Sequence, residues 1–226
     1  MTEVPTCAVA IMAKAPWPGQ VKTRLCPPLS YEEAAELYRC FLLDKIEQVK
    51  ALKKATPAIA YTPEDAKSLF EDMASPSFIF IPQQGVDLGS RLFSTLHQLL
   101  GLGYTKVIAI DSDTPTLSLD YIQRALTVLS EPEIDLVLGP CEDGGYYLIG
   151  LRKLHRELFD GITWSSAHVF SQTIRRAQAK GLNVACLPSW YDVDTPEDLQ
   201  HLKTLIQLDN SPGAQNTKRF FNKHSK

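Results

Sequence analysis

Four short clusters in this chain carry residues able to do chemistry, and the first is the most cationic. It runs Lys14-Ala15-Pro16-Trp17-Pro18-Gly19-Gln20-Val21-Lys22-Thr23-Arg24-Leu25 and follows directly on an apolar run. Cationic side chains and a glycine-bearing backbone suit a pyrophosphate, because amides converge on it and the cations neutralise it. Arg24 can grip two phosphate oxygens at once, whereas Lys14 and Lys22 act as point charges. Gly-x-x-x-x-Gly-Lys is absent, so this is no Walker A loop. A proline-rich surface loop with solvated charges fits the same residues.

The second cluster is Asp111-Ser112-Asp113, which ends the apolar run Val107 to Ile110. Two acids at that place can offer carboxylate oxygens to Mg²⁺ or Mn²⁺, leaving other positions for a diphosphate and water. A turn with Asx hydrogen bonds, passing through Thr114-Pro115, is the competing reading. The third is Glu142-Asp143-Gly144-Gly145-Tyr146-Tyr147. Its tandem glycine lets backbone approach a ligand, and its acids can contact an acceptor or assist the metal; a hairpin turn explains Asp143-Gly144 equally well. The fourth, Trp190-Tyr191-Asp192-Val193-Asp194-Thr195-Pro196-Glu197-Asp198-Leu199, is a sound helix start with Asp194 or Thr195 as cap. Alternatively, Asp194 supplies a second metal carboxylate. His97, His155, His168, His201 and His224 lack a Gly-x-Ser-x-Gly elbow and read as exposed or satisfied histidines.

The elements that must hold these clusters are legible from periodicity. Val4 to Met12 is an almost continuous apolar run and Lys106 to Ile110 contains the apolar run Val107 to Ile110; the two are expected as neighbouring parallel strands in the middle of a sheet covered on both faces. Ser30 and Glu33 form a capping-box pattern ahead of a helix from Tyr31 to about Leu52. Further strands are expected at Thr56–Thr62, Phe78–Ile81, Asp135–Gly139, Tyr146–Leu151 and Asn183–Leu187. Helices are expected at 63–73, 88–100, 119–129, 167–180 and 195–206. This alternation predicts a three-layer α/β sandwich, Rossmann-like, with a mostly parallel mixed sheet and its site beyond the carboxyl ends of the strands. Residues 1–208 read as one domain, and the polar stretch 209–226 as a loose tail in which Phe220 and Phe221 have no assured place.

Composition narrows the partners. With 226 residues, 44% hydrophobic and 22% charged, the chain can bury a sizeable core. A net charge of -3 excludes a broad nucleic-acid footprint. No apolar stretch suits a membrane span and no secretory signal is seen, so a cytoplasmic protein without membrane or nucleic-acid partners is expected. Cys7, Cys26, Cys40, Cys141 and Cys186 show no C-x-x-C pair and read as reduced thiols, with Cys7 and Cys186 packed inside strands.

Taken in order, the motifs resemble one family. They are Ala-Ile-Met-Ala-Lys-Ala-Pro-x-Pro-Gly-x-Val-Lys-Thr-Arg-Leu, Gln-x-Gly-x-Asp-Leu-Gly-x-Arg, Ser-Asp-Thr-Pro, Glu-Asp-Gly-Gly-Tyr-Tyr-Leu-Ile-Gly-Leu, Trp-Ser and Asp-Val-Asp-Thr-Pro-Glu-Asp-Leu. Over residues 8–205 they are similar to bacterial glycosyltransferase-like proteins linked to radical-SAM and arsenosugar pathways, within the nucleotide-diphospho-sugar transferase superfamily. The resemblance implies a glycosyltransferase-A fold and a nucleotide held by Lys14, Gly19, Lys22, Thr23 and Arg24. It implies a metal, Mg²⁺ or Mn²⁺, on Asp113 and Asp194. Asp111 is a weaker candidate ligand, because many relatives have Gly there. Asp113, Glu142 and Asp143 then fall at the reacting centre, with Asp87, Gly144, Gly145 and Trp164 on the substrate. The implied activity is transfer of a sugar from a nucleotide-sugar to a small-molecule acceptor. Nucleotidyl transfer from an NTP to a sugar phosphate or phospho-acid is the alternative, and a non-catalytic nucleotide-binding regulator is a third reading. A homodimer is compatible with all three.

Overall fold

The computed structural model describes residues 6–208 and 213–224. Seven strands form one sheet: β1 (Cys7–Lys14), β2 (Thr56–Thr62), β3 (Ile79–Pro82), β4 (Lys106–Ile110), β5 (Leu136–Pro140), β6 (Tyr146–Leu151) and β7 (Val184–Cys186). The helices are α1 (Tyr31–Lys50), α2 (Lys67–Met73), α3 (Leu88–Gly101), α4 (Leu119–Val128), α5 (Val169–Ala179), α6 (Pro196–Leu208) and α7 (Gln215–Lys223). Among the described residues, no helix is long and apolar enough to cross a membrane.

Strand order is β3-β2-β1-β4-β6-β5-β7, with β6 antiparallel to both neighbours and every other pairing parallel. The expected central pair is present, with Ala8 opposite Val107 and Ile11 opposite Ile110. Val4 and Pro5, at the start of the first expected strand, lie outside the described residues. The continuous apolar runs divide by alternation. Val9, Ile11, Ile59, Ile108 and Ile110 face a core that includes Phe41 of α1, Ile122 of α4 and Leu199 of α6. Ala8, Ala10, Ala58, Ala60 and Ala109 face the other core, with Leu92, Leu96 and Leu99 of α3 and Ala177 of α5. Alanines on that side let a helix seat close to the sheet, so layer spacing follows from side-chain volume.

The capping box of α1 forms as its spacing predicted: Glu33 N donates to Ser30 Oγ at 3.1 Å and Ser30 N to Glu33 Oε2 at 2.8 Å. Residues 64–73 divide into a short 3-10 turn and α2. All five cysteines are free. Cys186 is exposed on β7, contrary to the buried place its apolar run suggested, because β7 is the last strand of the sheet.

The stretch expected to be a loose tail needs correction, since 215–223 is helical and docked. Asp44 of α1, 1% exposed, accepts hydrogen bonds from the Asn216 and Thr217 amides, the Asn216 Nδ2 and the Thr217 hydroxyl. A carboxylate from one helix thus caps the next. Thr217 and Phe220 are buried, and Lys223 pairs with Glu36 at 2.8 Å. A nine-residue helix cannot hold itself in water, so these contacts are what order it. Asp44→Ala strands those donors and is expected to cost about 2–4 kcal/mol by urea or thermal melting. A loss under about 0.5 kcal/mol would show that apolar packing alone holds α7.

Candidate active site

The four chemical clusters meet where β1, β4, β5 and β7 end, at the carboxyl edge of the parallel strands. Backbone bonds bring the distant segments together. Val193 N donates to the Asp113 carbonyl at 3.0 Å, Glu142 N to the Trp190 carbonyl at 3.0 Å, and Trp190 N to the Pro140 carbonyl at 3.0 Å. The residues around 190–194 are thereby laid across the exits of β4 and β5.

Lys22 is the centre of the arrangement. Its Nζ lies 2.6 Å from Asp113 Oδ1 and 2.6 Å from Asp194 Oδ1, and its side chain is 5% exposed. Burial works against the ammonium, but the two carboxylates outweigh it and hold the pKa above the ordinary value. The loop is bent to aim this side chain inward: Gly19 takes φ +73° in a turn closed by Gln20 N on the Trp17 carbonyl, and Lys22 itself takes φ 48°. Sequence reasoning put Lys22 on phosphate; here it bridges the two carboxylates. Asp194 is not the helix cap, because Thr195 and Asp198 perform that task. Asp198 Oδ2 accepts from Thr195 N at 2.8 Å, and Asp198 N donates to Thr195 Oγ1 at 3.3 Å.

A crevice of about 310 Å³ opens here between Lys14, Lys22, Gln83, Arg91, Asp113 and Asp194. Lys14 Nζ donates to the Gln20 carbonyl at 2.7 Å at its exposed rim. Gly19, Thr23 and Arg24 are exposed in the same loop without lining the crevice. Gln83 and Arg91 line it instead. Gln83 Nε2 is spent on the Ala13 and Ala60 carbonyls, and Arg91 Nε on the Gly85 carbonyl. Both belong to the Gln-x-Gly-x-Asp-Leu-Gly-x-Arg string, which was the signal available for them. Tyr38, read in the sequence only as an apolar helix position, ties the floor together. Its hydroxyl receives the Lys14 N–H at 3.1 Å and lies 2.8 Å from Ser112 Oγ. A larger hollow, about 1060 Å³, sits beside Thr6, Lys53 and Lys106 and contains none of the four clusters.

Asp111 does not join the Lys22 cation. Its Oδ1 accepts from Thr114 Oγ1 at 2.7 Å and lies 3.8 Å from the Nζ of Lys45, a fully buried lysine of α1. Burial pushes the Asp111 carboxyl up to about 7 and the Lys45 ammonium down. Asp192, missed in the sequence, flanks buried Val193 on one side as Asp194 does on the other; their i, i+2 spacing was the available signal. Burial first, then Asp143 and Asp194, raise the Asp192 carboxyl to about 6. Its ligand atoms lie within 4.8 Å of those of Cys141 and Asp143. Asp143 also turns back to accept from Gly145 N at 2.7 Å, while Glu142 stands exposed.

The expected substrate residues do not line this crevice and are engaged in contacts with their own surroundings. Asp87 caps α3 by accepting from Ser90 N at 2.7 Å and Ser90 Oγ at 2.6 Å. The indole of Trp164 lies against Gly89 of α3 and edge-on to Tyr146, with ring centroids 6.4 Å apart. Gly144 takes φ +90° against the Ala167 carbonyl, and its own carbonyl receives Phe170 N at 2.8 Å.

Comparison with known proteins identifies the family and the fold. Residues 45–166 match the family described as "Uncharacterized protein conserved in bacteria (DUF2064)". A solved structure from Desulfovibrio desulfuricans G20, described as a "putative nucleotide-diphospho-sugar transferase", is 35% identical. The match covers 98% of this chain and 96% of that one, with a TM-score of 0.90. Two more distant structures share the fold. A cytidylyltransferase from Leptospira borgpetersenii serovar Hardjo-bovis (strain JB197) is 13% identical, with 98% and 96% covered and a TM-score of 0.57. The 4-diphosphocytidyl-2C-methyl-D-erythritol synthase from Anaerococcus prevotii DSM 20548 is 10% identical, with 89% and 97% covered and a TM-score of 0.59. No curated protein matches the chain.

Proposed function

The chain belongs to the DUF2064 family, and from that premise we propose that it is a nucleotide-dependent transferase whose crevice at Lys22, Asp113 and Asp194 holds the nucleotide's phosphates. The observation that carries this reading is the Lys22 bridge: two carboxylates from chain positions far apart share one cation beside an open, lysine-rimmed crevice.

The same two oxygens suit a divalent ion. They are hard donors already gathered on a point charge, so Asp113 and Asp194 are the residues to hold Mg²⁺ or Mn²⁺. Such an ion, when bound, neutralises charge on phosphate oxygens. The protein's own groups do the rest. Lys14 and Lys22 supply positive charge to the phosphates. The Tyr38–Ser112 pair fixes the loop after β1 against the exit of β4, which keeps those cations in register. Asp192, whose carboxyl burial and the neighbouring Asp143 and Asp194 push up, is the candidate to accept a proton from an acceptor.

Of the two reactions, sugar transfer from a nucleotide-sugar is in keeping with the description "nucleotide-diphospho-sugar transferase" of the 35% identical relative, and a small-molecule acceptor is part of the proposal. There the bond from the sugar carbon to phosphate oxygen breaks and a nucleoside diphosphate leaves. Nucleotidyl transfer, in which a phosphate oxygen of the acceptor attacks the α-phosphorus of an NTP, releases pyrophosphate instead. Nucleotide-sugars and NTPs screened by thermal shift with Mn²⁺ should include at least one that raises the melting temperature, because a ligand of the folded state alone must stabilise it. At a ligand concentration ~100-fold above Kd the gain is ~2.7 kcal/mol. Absence of any shift across all bases would remove the nucleotide from this account. Product analysis for diphosphate or pyrophosphate then decides the reaction.

A further inference from the structure

Lys22 Nζ sits between the two carboxylates that would hold a divalent ion, Asp113 and Asp194. The two acids are 36% and 40% exposed, so they face the crevice, yet each spends an oxygen on an ammonium whose stem is buried. Asp192 and Asp143 add negative charge beside them. Without a cation these acids would repel one another, so Lys22 serves the unliganded protein as its counter-ion. On the same two oxygens an ammonium and a divalent ion would bring two positive charges close together, so Lys22 in this position opposes a free ion there. Lys22 stands at the cap of the 3-10 turn Thr23–Leu25 and is among the residues that line the crevice, so phosphate entering there comes up against the ion pair it makes.

We propose that Lys22 is a displaceable internal cation: it closes Asp113 and Asp194 to a free divalent ion and exchanges them for phosphate oxygens when a nucleotide enters. The ion therefore loads together with the nucleotide and not before it. This rests on the reading of the crevice as a nucleotide site. In the exchange no covalent bond is made or broken; Lys22 trades two carboxylate contacts for phosphate contacts of the same kind. Asp113 and Asp194, left by the lysine, would then be balanced by a divalent ion if one is bound.

The test is Mn²⁺ binding followed by electron paramagnetic resonance on wild type and Lys22→Met, with no nucleotide present. The variant should bind Mn²⁺ about tenfold or more tightly than wild type, equivalent to ~1.4 kcal/mol. Equal or weaker binding by the variant would overturn the proposal. A second measurement needs no variant, should Lys22→Met fail to fold. In wild-type protein carrying ¹³C-lysine, the Lys22 Cε signal should stay in place on adding Mg²⁺ alone and shift when inorganic pyrophosphate is added with it. A shift with Mg²⁺ alone overturns the exchange. Failure of the nucleotide reading shows separately, as the absence of any thermal shift with nucleotides, whereas failure of the exchange leaves that shift intact.

Discussion

Asp194→Asn is expected to cut turnover by about 10²–10³-fold while changing stability by about 1 kcal/mol or less. The two effects separate because Thr195 and Asp198, not Asp194, cap α6, and Asp194 Oδ1 is paired with Lys22. Lys22 keeps Asp113 as a partner in the variant, so its charge stays compensated. A neutral amide nevertheless makes a poor ligand for a divalent ion. Melting curves and steady-state rates on the same preparation read both quantities. An active variant would reduce Asp194 to a structural ion pair.

Gly144→Ala should produce the largest structural loss. An L-residue at φ +90° is strained, and a Cβ there would lie 2.2 Å from the Ala167 carbonyl oxygen, which is backbone and cannot swing aside. Relieving the overlap must also disturb the bond from Phe170 N, at the start of α5, to the Gly144 carbonyl. Strain and overpacking together are expected to cost roughly 2–5 kcal/mol in chemical denaturation. Wild-type stability in this variant would mean that the 142–147 turn has room to remodel.

How much of this was legible beforehand depended on whether the signal was local. The strands β1 and β4 are apolar apart from Lys14 and Lys106 at their ends, because helices cover both their faces, and composition alone states that. The start of α1 was equally plain, since Ser30 and Glu33 satisfy each other three residues apart. The helix α7 was not. Its residues are mostly polar, and what orders it is Asp44, 172 positions before Asn216. Site residues divide in the same way. The carboxylates ending strands were visible from their position, and Asp194 had two readings that only its surroundings could separate. The role of Lys22 was hidden altogether: a lysine in a glycine-bearing loop announces its charge, but not whether carboxylate or phosphate will receive it. Tyr38 was masked by its own periodicity, being at once part of the buried stripe of α1 and the hydroxyl that joins Lys14 to Ser112.

The central claim is that nucleotide phosphates and a divalent ion meet at Asp113 and Asp194. Crystals grown with Mn²⁺ and the nucleotide giving the largest thermal shift test it through the anomalous signal of manganese. The account predicts a single strong peak bounded by the Asp113 and Asp194 carboxylates and a phosphate oxygen, with Lys22 Nζ moved from those carboxylates onto phosphate. A nucleotide bound elsewhere, or manganese absent from this pair of acids while the nucleotide is present, would contradict it.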